Sequence, residues 1–114
     1  MTTTGSSGSA TGTGVSQNVN GFLLGWYANY HASAPGATTD IAIKLNEDAY
    51  TITTISNTAT DAYNTTMKNI VDSAGAAVSG VYAYYPIAGP ITVSVTGCDA
   101  LTNAVVVTFY VAPN

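Results

Sequence analysis

Apolar and polar positions alternate with period two along much of this chain, and the alternation is cleanest toward its end. Ile91, Val93 and Val95 are interleaved with Thr92, Ser94 and Thr96, the pattern of a strand buried on one face and wet on the other. Residues 104–111 repeat it, with Val105, Val107, Phe109 and Val111 on one face and Val106, Thr108 and Tyr110 on the other. Ile41, Ile43 and Leu45 alternate with Ala42 and Lys44, which predicts a strand with Lys44 outward. Residues 50–56 predict a Thr/Ile strand with Ile52 inward and a change of phase before Ile55.

Three segments depart from simple alternation. Within residues 15–31 the run Phe22-Leu23-Leu24-Gly25-Trp26-Tyr27 is apolar on both sides, which predicts a strand covered on both faces. Trp26 is expected as its core anchor, and Gly25 predicts a bulge or a close backbone approach. Residues 81–85 are dense in tyrosine, and Pro86 ends that strand or confines it to an edge. Residues 62–71 are ambiguous: Met67, Ile70 and Val71 could share a helical face, but Asn64-Thr65-Thr66 is a poor helix former. The segment reads as an irregular strand, with a short helix as the alternative.

Turn chemistry separates these pieces. Ser33-Ala34-Pro35-Gly36 fits a type II turn, since proline presets φ at the second position and glycine permits positive φ at the third. Asn46-Glu47-Asp48 is a polar turn, Gly89-Pro90 another, and residues 57–61, 72–80 and 97–103 read as loops. About seven short strands with little helix predict an all-β chain, an antiparallel β-sandwich of immunoglobulin-like or jelly-roll type. The Cys…Trp…Cys spacing of true immunoglobulin domains is absent.

Composition changes the picture in one respect. The chain has 114 residues, enough for a single core, but charged residues are only 7%, against roughly 25% in ordinary soluble domains. Lys44 and Lys68 are the only basic residues and the net charge is -4. No basic stripe for phosphates can be assembled, which excludes nucleic acid as a partner and argues against anionic membranes. A surface of Thr, Ser, Asn, Ala and Gly buries at little desolvation cost, so it suits a chain meant to lie against neighbours. No apolar run reaches a membrane span. The first residues lack a basic n-region and an apolar h-region, so the expectation is a protein made and kept in the cytoplasm until something carries it out.

Candidate chemistry is sparse. His31 could be arranged on paper with Ser33 and Asp40, but no nucleophile elbow accompanies them, and the expected role is a strand-end histidine bonded to loop backbone. Cys98 is the single cysteine, expected as a small half-buried side chain near a turn. Glu47 and Asp48 do not supply the regular oxygen offsets of a calcium loop. Gly12-x-Gly14 lacks the strand and helix of a phosphate cradle, and Asn64-Thr65-Thr66 matches a glycosylation acceptor only for a secreted chain. The expectation is a non-enzyme without cofactor or metal. Two features are left for contacts: the low-complexity residues 1–14, an extended Gly/Ser/Thr-rich arm ahead of a sandwich over residues 15–114, and the tyrosines Tyr82, Tyr84 and Tyr85.

The pattern Leu24-x-x-Tyr27-x-x-Tyr30-His31-Ala32-Ser33-Ala34-Pro35, then Thr39-Asp40-Ile41-x-Ile43, resembles small structural proteins of tailed bacteriophages. Tyr85-Pro86-Ile87-x-Gly89-Pro90-Ile91-Thr92-Val93-Ser94-Val95, Asp99-Ala100-Leu101 and residues 105–111 continue the resemblance, which covers roughly residues 21–111. It implies a head decoration (cement) protein, a virion component on the outer surface of an icosahedral capsid. The implied partners are the major capsid protein and sister copies, a trimer at threefold positions or a dimer. Such proteins carry no catalytic residues. Expected contacts then come from the arm, through Thr3, Thr4, Ser6, Ser9, Thr11 and Thr13, and from Tyr84 and Tyr85. The alternative is a phage tail or fibre module that recognises carbohydrate through Trp26 and the tyrosines.

Overall fold

Two strands carry half of the buried apolar side chains, and each becomes the middle of a sheet. The computed structural model describes residues 1–45 and 50–113. Among them are nine strands: β1 (Ala10–Val15), β2 (Val19–Tyr30), β3 (Asp40–Leu45), β4 (Tyr50–Ile55), β5 (Ala62–Asn64), β6 (Met67–Val71), β7 (Ala77–Gly89), β8 (Ile91–Cys98) and β9 (Val105–Pro113). No helix is found among these residues, and none long and apolar enough to cross a membrane. The turn expected at Asn46-Glu47-Asp48 lies outside the described residues.

β8 pairs antiparallel with β1 on one side and β3 on the other, giving a four-stranded sheet in the order β1-β8-β3-β4. β2 is the spine of the second sheet, ordered β5-β2-β7-β6, with β9 also pairing along β2. The sheets pack as an antiparallel β-sandwich, as the alternation requires. Leu23 and Trp26 from one sheet and Ile41, Ile43, Ile91 and Val95 from the other are fully buried between them, joined by Val105. Ile52 is buried, and Ile55 follows half-buried behind a register shift between β3 and β4.

Three expectations are corrected and one is narrowed to a single alternative. Residues 62–71 form neither a helix nor one irregular strand but two short strands, β5 and β6, separated at Thr65 and Thr66. Of the two outcomes expected at Pro86 the edge is the one found: β7 runs through it, paired with Phe22 of β2 on one side only. The proline is tolerated because no second strand needs its missing N–H there. The run from Phe22 to Tyr27 is covered on one face only, with Phe22 46% and Leu24 37% exposed. A two-layer sandwich has no third layer to lie over β2.

The third correction is the arm. Residues 1–14 do not extend from the domain but complete it. Such a segment has little apolar surface to bury beyond Met1 and Ala10, yet it is rich in backbone and hydroxyl groups, and the open edge of β8 supplies partners for them. β1 pairs with β8 from Ala10 opposite Cys98 to Val15 opposite Thr92. Thr4 and Thr11 exchange backbone hydrogen bonds of 3.0 Å, folding the segment into a hairpin. A Cβ on Gly12 would lie 2.7 Å from the Thr2 carbonyl oxygen, so the two legs approach only because this residue is glycine. Asp99 fastens the hairpin down: its Oδ1 accepts from Ser7 Oγ at 2.6 Å and from Gly8 N at 2.9 Å. Its carbonyl accepts from Thr3 Oγ1 at 2.7 Å.

Asp99→Ala removes the carboxylate without touching the inter-sheet core. Stability should fall by about 1–2 kcal/mol, the range for losing partly exposed hydrogen bonds to a charged acceptor. Amide hydrogen exchange should accelerate over residues 4–11 while the amides of β3 stay protected. Unchanged exchange in the first segment would show that the carboxylate does not hold it.

Candidate interaction surface

The sequence places Asp72 between two strands, followed by Ser73, Ala74 and Gly75. Its Oδ1 accepts from Ala74 N at 2.9 Å and Ala76 N at 3.0 Å, and Gly75 takes φ 85°, so the turn between β6 and β7 is internally satisfied. The two strands pair as Met67 with Tyr84, Lys68 with Ala83 and Asn69 with Tyr82, after which the register shifts. β7 is longer than the body needs. Its residues 85–89 pair with β2 inside the sandwich, while residues 77–84 pair with β6 alone.

Every residue from 67 to 84 is exposed, on both faces of the hairpin. The set includes Met67, Ile70, Val71, Val78, Val81 and Tyr82. The radius of gyration is 15.1 Å, above the ~13 Å of a compact domain of this length, and the longest extent is 47 Å. At its root Tyr85 is 7% exposed and its ring lies 6.3 Å from that of Tyr50, over which Lys68 Nζ sits at 5.8 Å. The projecting arm of this molecule is therefore the β6–β7 hairpin and not the N-terminus.

The hairpin adjoins a second exposed apolar area, the outer face of the five-stranded sheet. Phe22, Leu24, Tyr63, Val106 and Tyr110 are all exposed there, with the Tyr63 and Tyr110 rings 5.6 Å apart. Gly25 makes this pairing possible, since a Cβ on it would meet Tyr63 Oη at 2.8 Å and the Asn64 carbonyl oxygen at 2.9 Å. A register shift between β2 and β9 falls at the same place, so both a bulge and a close approach occur. Lys68 is the only charged residue on the five strands.

The residues expected to make contacts divide. Tyr84 is exposed near the root of the hairpin. Tyr85 is buried beside it and offers no contact surface, because consecutive strand residues face opposite ways. Thr3 is buried and bonded within its own chain, and Thr4 and Thr11 bond each other's backbone. Ser6 and Ser9 close a local turn, and Thr13, exposed, pairs opposite Ser94. The N-terminal set belongs to the four-stranded sheet and Tyr84 to the other, so they do not form one site. What the sequence reading missed is the apolar outer face. The signal was the doubly apolar run at Phe22–Tyr27, in a chain too short to cover it twice.

Elsewhere the chemistry is quiet. His31 Nδ1 accepts from Ser33 N at 3.0 Å, and Asp40 Oδ1 accepts from Asn57 N at 2.9 Å. No group of three His, Cys, Asp or Glu able to hold a metal is found among the described residues; Glu47 and Asp48 lie outside them. A cleft of ≈ 550 Å³ opens beside Trp26 and Tyr30, walled by Thr53, Ser56, Thr58 and Thr60. Trp26 Nε1 donates to Thr66 Oγ1 at 3.2 Å at its margin. The buried Tyr30 hydroxyl has no partner among the described residues.

Burial, then the nearby Asp61 carboxylate, raises the Tyr30 phenol above its ordinary value of 10.0, and burial followed by the Tyr50 hydrogen bond raises Tyr85. Both rings are neutral in folded and unfolded chains below that value; above it the unfolded chain ionises first. Stability should therefore hold constant up to the ordinary phenol value and fall as the pH rises through it. Urea midpoints measured from about pH 8 to about pH 11 should drop less steeply in Tyr30→Phe. Superimposable profiles for the two chains would refute the assignment.

No protein-family model, curated protein or solved structure matches this chain.

Proposed function

We propose that this chain is a non-enzymatic structural protein of a phage virion, a decoration protein that stabilises an icosahedral capsid by binding its outer surface through the β6–β7 hairpin. The observation that carries the reading is a hairpin apolar on both sides with no covering layer of its own. A two-stranded ribbon alone in water is marginal, and seating it in a groove of another protein removes its apolar surface from solvent. The capsid comes from the resemblance, and the physics is compatible with it. A contact surface whose charges are Lys68 and Asp72 strands little charge when buried, and many weakly held copies on one particle gain avidity. The partner in this reading is the major capsid protein, with sister copies beside it. The location is the virion's outer surface.

Lys68 and Ala83 are paired across the hairpin, so an Asn-Gly turn can join them in place of residues 69–82. The shortened chain should keep its fold and its unfolding midpoint within a few degrees, and its occupancy on purified heads should fall at least tenfold. Undiminished occupancy of a folded shortened chain would end the proposal.

The hydroxyl-walled cleft beside Trp26 favours a second reading, a tail or fibre module that binds a neutral saccharide. Trp26 is the only tryptophan, so its emission reports directly on the cleft. Titration with neutral oligosaccharides should give a saturable spectral shift under this reading; a flat response across the series would exclude it.

A further inference from the structure

We infer that the outer face of the five-stranded sheet is the contact between two copies of this chain, packed face to face about a two-fold axis. The first argument is sidedness. Apart from Val15 and Tyr50, every large apolar side chain left exposed among the described residues lies on β2, β5, β6, β7 or β9. The outward residues of the other sheet are mainly threonine, as at Thr11, Thr13, Thr51, Thr54 and Thr96. One face of the sandwich suits water and the other does not.

The second argument is size. At exposures between 37% for Leu24 and 60% for Tyr63, Phe22, Leu24, Tyr63, Val106 and Tyr110 present about 500 Å² of mostly apolar surface, toward the upper end of the largest patch on a typical monomer, which is often functional. With the intervening backbone and the root of the hairpin, the face approaches the ~800 Å² per partner of a standard interface.

The third argument is charge, and it chooses the occupant. Two copies of a chain with net charge -4 repel unless they meet where no acid lies. The described acids are Asp40 on β3, Asp61 ahead of β5, Asp72 in the hairpin turn and Asp99 after β8. None is on the five strands. Burying this face against its own copy therefore brings no like charges together across the axis. Contact with itself needs only an axis that brings the same patch opposite its copy. The inference does not rest on the capsid reading: it concerns the sheet face, with the hairpin only at its margin, and it is tested without capsids.

Sedimentation equilibrium of the full chain over a broad dilution series should return at least twice the chain mass of 11.6 kDa. The double variant Leu24→Lys, Tyr110→Lys places like charges across the axis and should sediment at the single-chain mass with an unchanged circular dichroism spectrum. In case that variant folds poorly, hydroxyl-radical footprinting of the unaltered chain provides an independent reading. Phe22, Tyr63 and Tyr110 should gain reactivity on dilution, while Val15, 62% exposed on the other sheet, should not change. Single-chain mass for the unaltered protein at every concentration, full assembly of a folded double variant, or doubled mass without protection of the face would each overturn the inference.

Discussion

The contact between the inner faces of the two sheets is what the rest of this molecule depends on. Leu23, Trp26, Ile41, Ile43, Ile91 and Val95 fill that layer, the only such layer among the described residues. Each sheet therefore has one face that its own chain cannot cover. The four-stranded sheet meets this condition with threonine. The five-stranded sheet turns Phe22, Leu24, Tyr63 and Tyr110 outward, and the hairpin that continues β7 carries the same character beyond the body. Apart from Val15 and Tyr50, the large exposed apolar side chains thus lie on one sheet of the sandwich and its hairpin.

The N-terminal segment illustrates a different constraint. Gly, Ser and Thr supply little hydrophobic driving force, yet residues 1–15 complete the four-stranded sheet through backbone pairing with β8 and through Asp99. A carboxylate accepting two hydrogen bonds, small residues permitting close approach, and Ala10 buried opposite Cys98 together order a stretch whose composition alone suggests a coil. The edge strand that results is Thr/Gly-rich and presents few apolar groups, which protects that sheet from pairing with other chains.

Function follows from the unequal treatment of the two faces. A domain with a single histidine already bonded to loop backbone, few charges and one apolar side has surface as its main resource. The proposed roles divide that resource between a projecting hairpin for a foreign partner and a sheet face for a sister copy. Both rely on area and shape, since charge offers almost nothing for recognition in this chain.

The strands with strict alternation were legible residue by residue. Ile91, Val93 and Val95, and Val105, Val107 and Phe109, point inward because period two leaves one face to bury, whatever the partner. Trp26 as an anchor and Gly25 as a close approach were legible too, from size and from the missing side chain. Tertiary structure decided the rest. Whether residues 10–15 hang free or pair depends on β8 having an open edge, which no local pattern records. That Tyr85 is buried while Tyr84 is exposed depends on where β7 leaves the sandwich, and so does the projection of residues 67–84. The apolar run at Phe22 to Tyr27 told how much surface needs covering, but only the count of layers told how much the chain covers by itself.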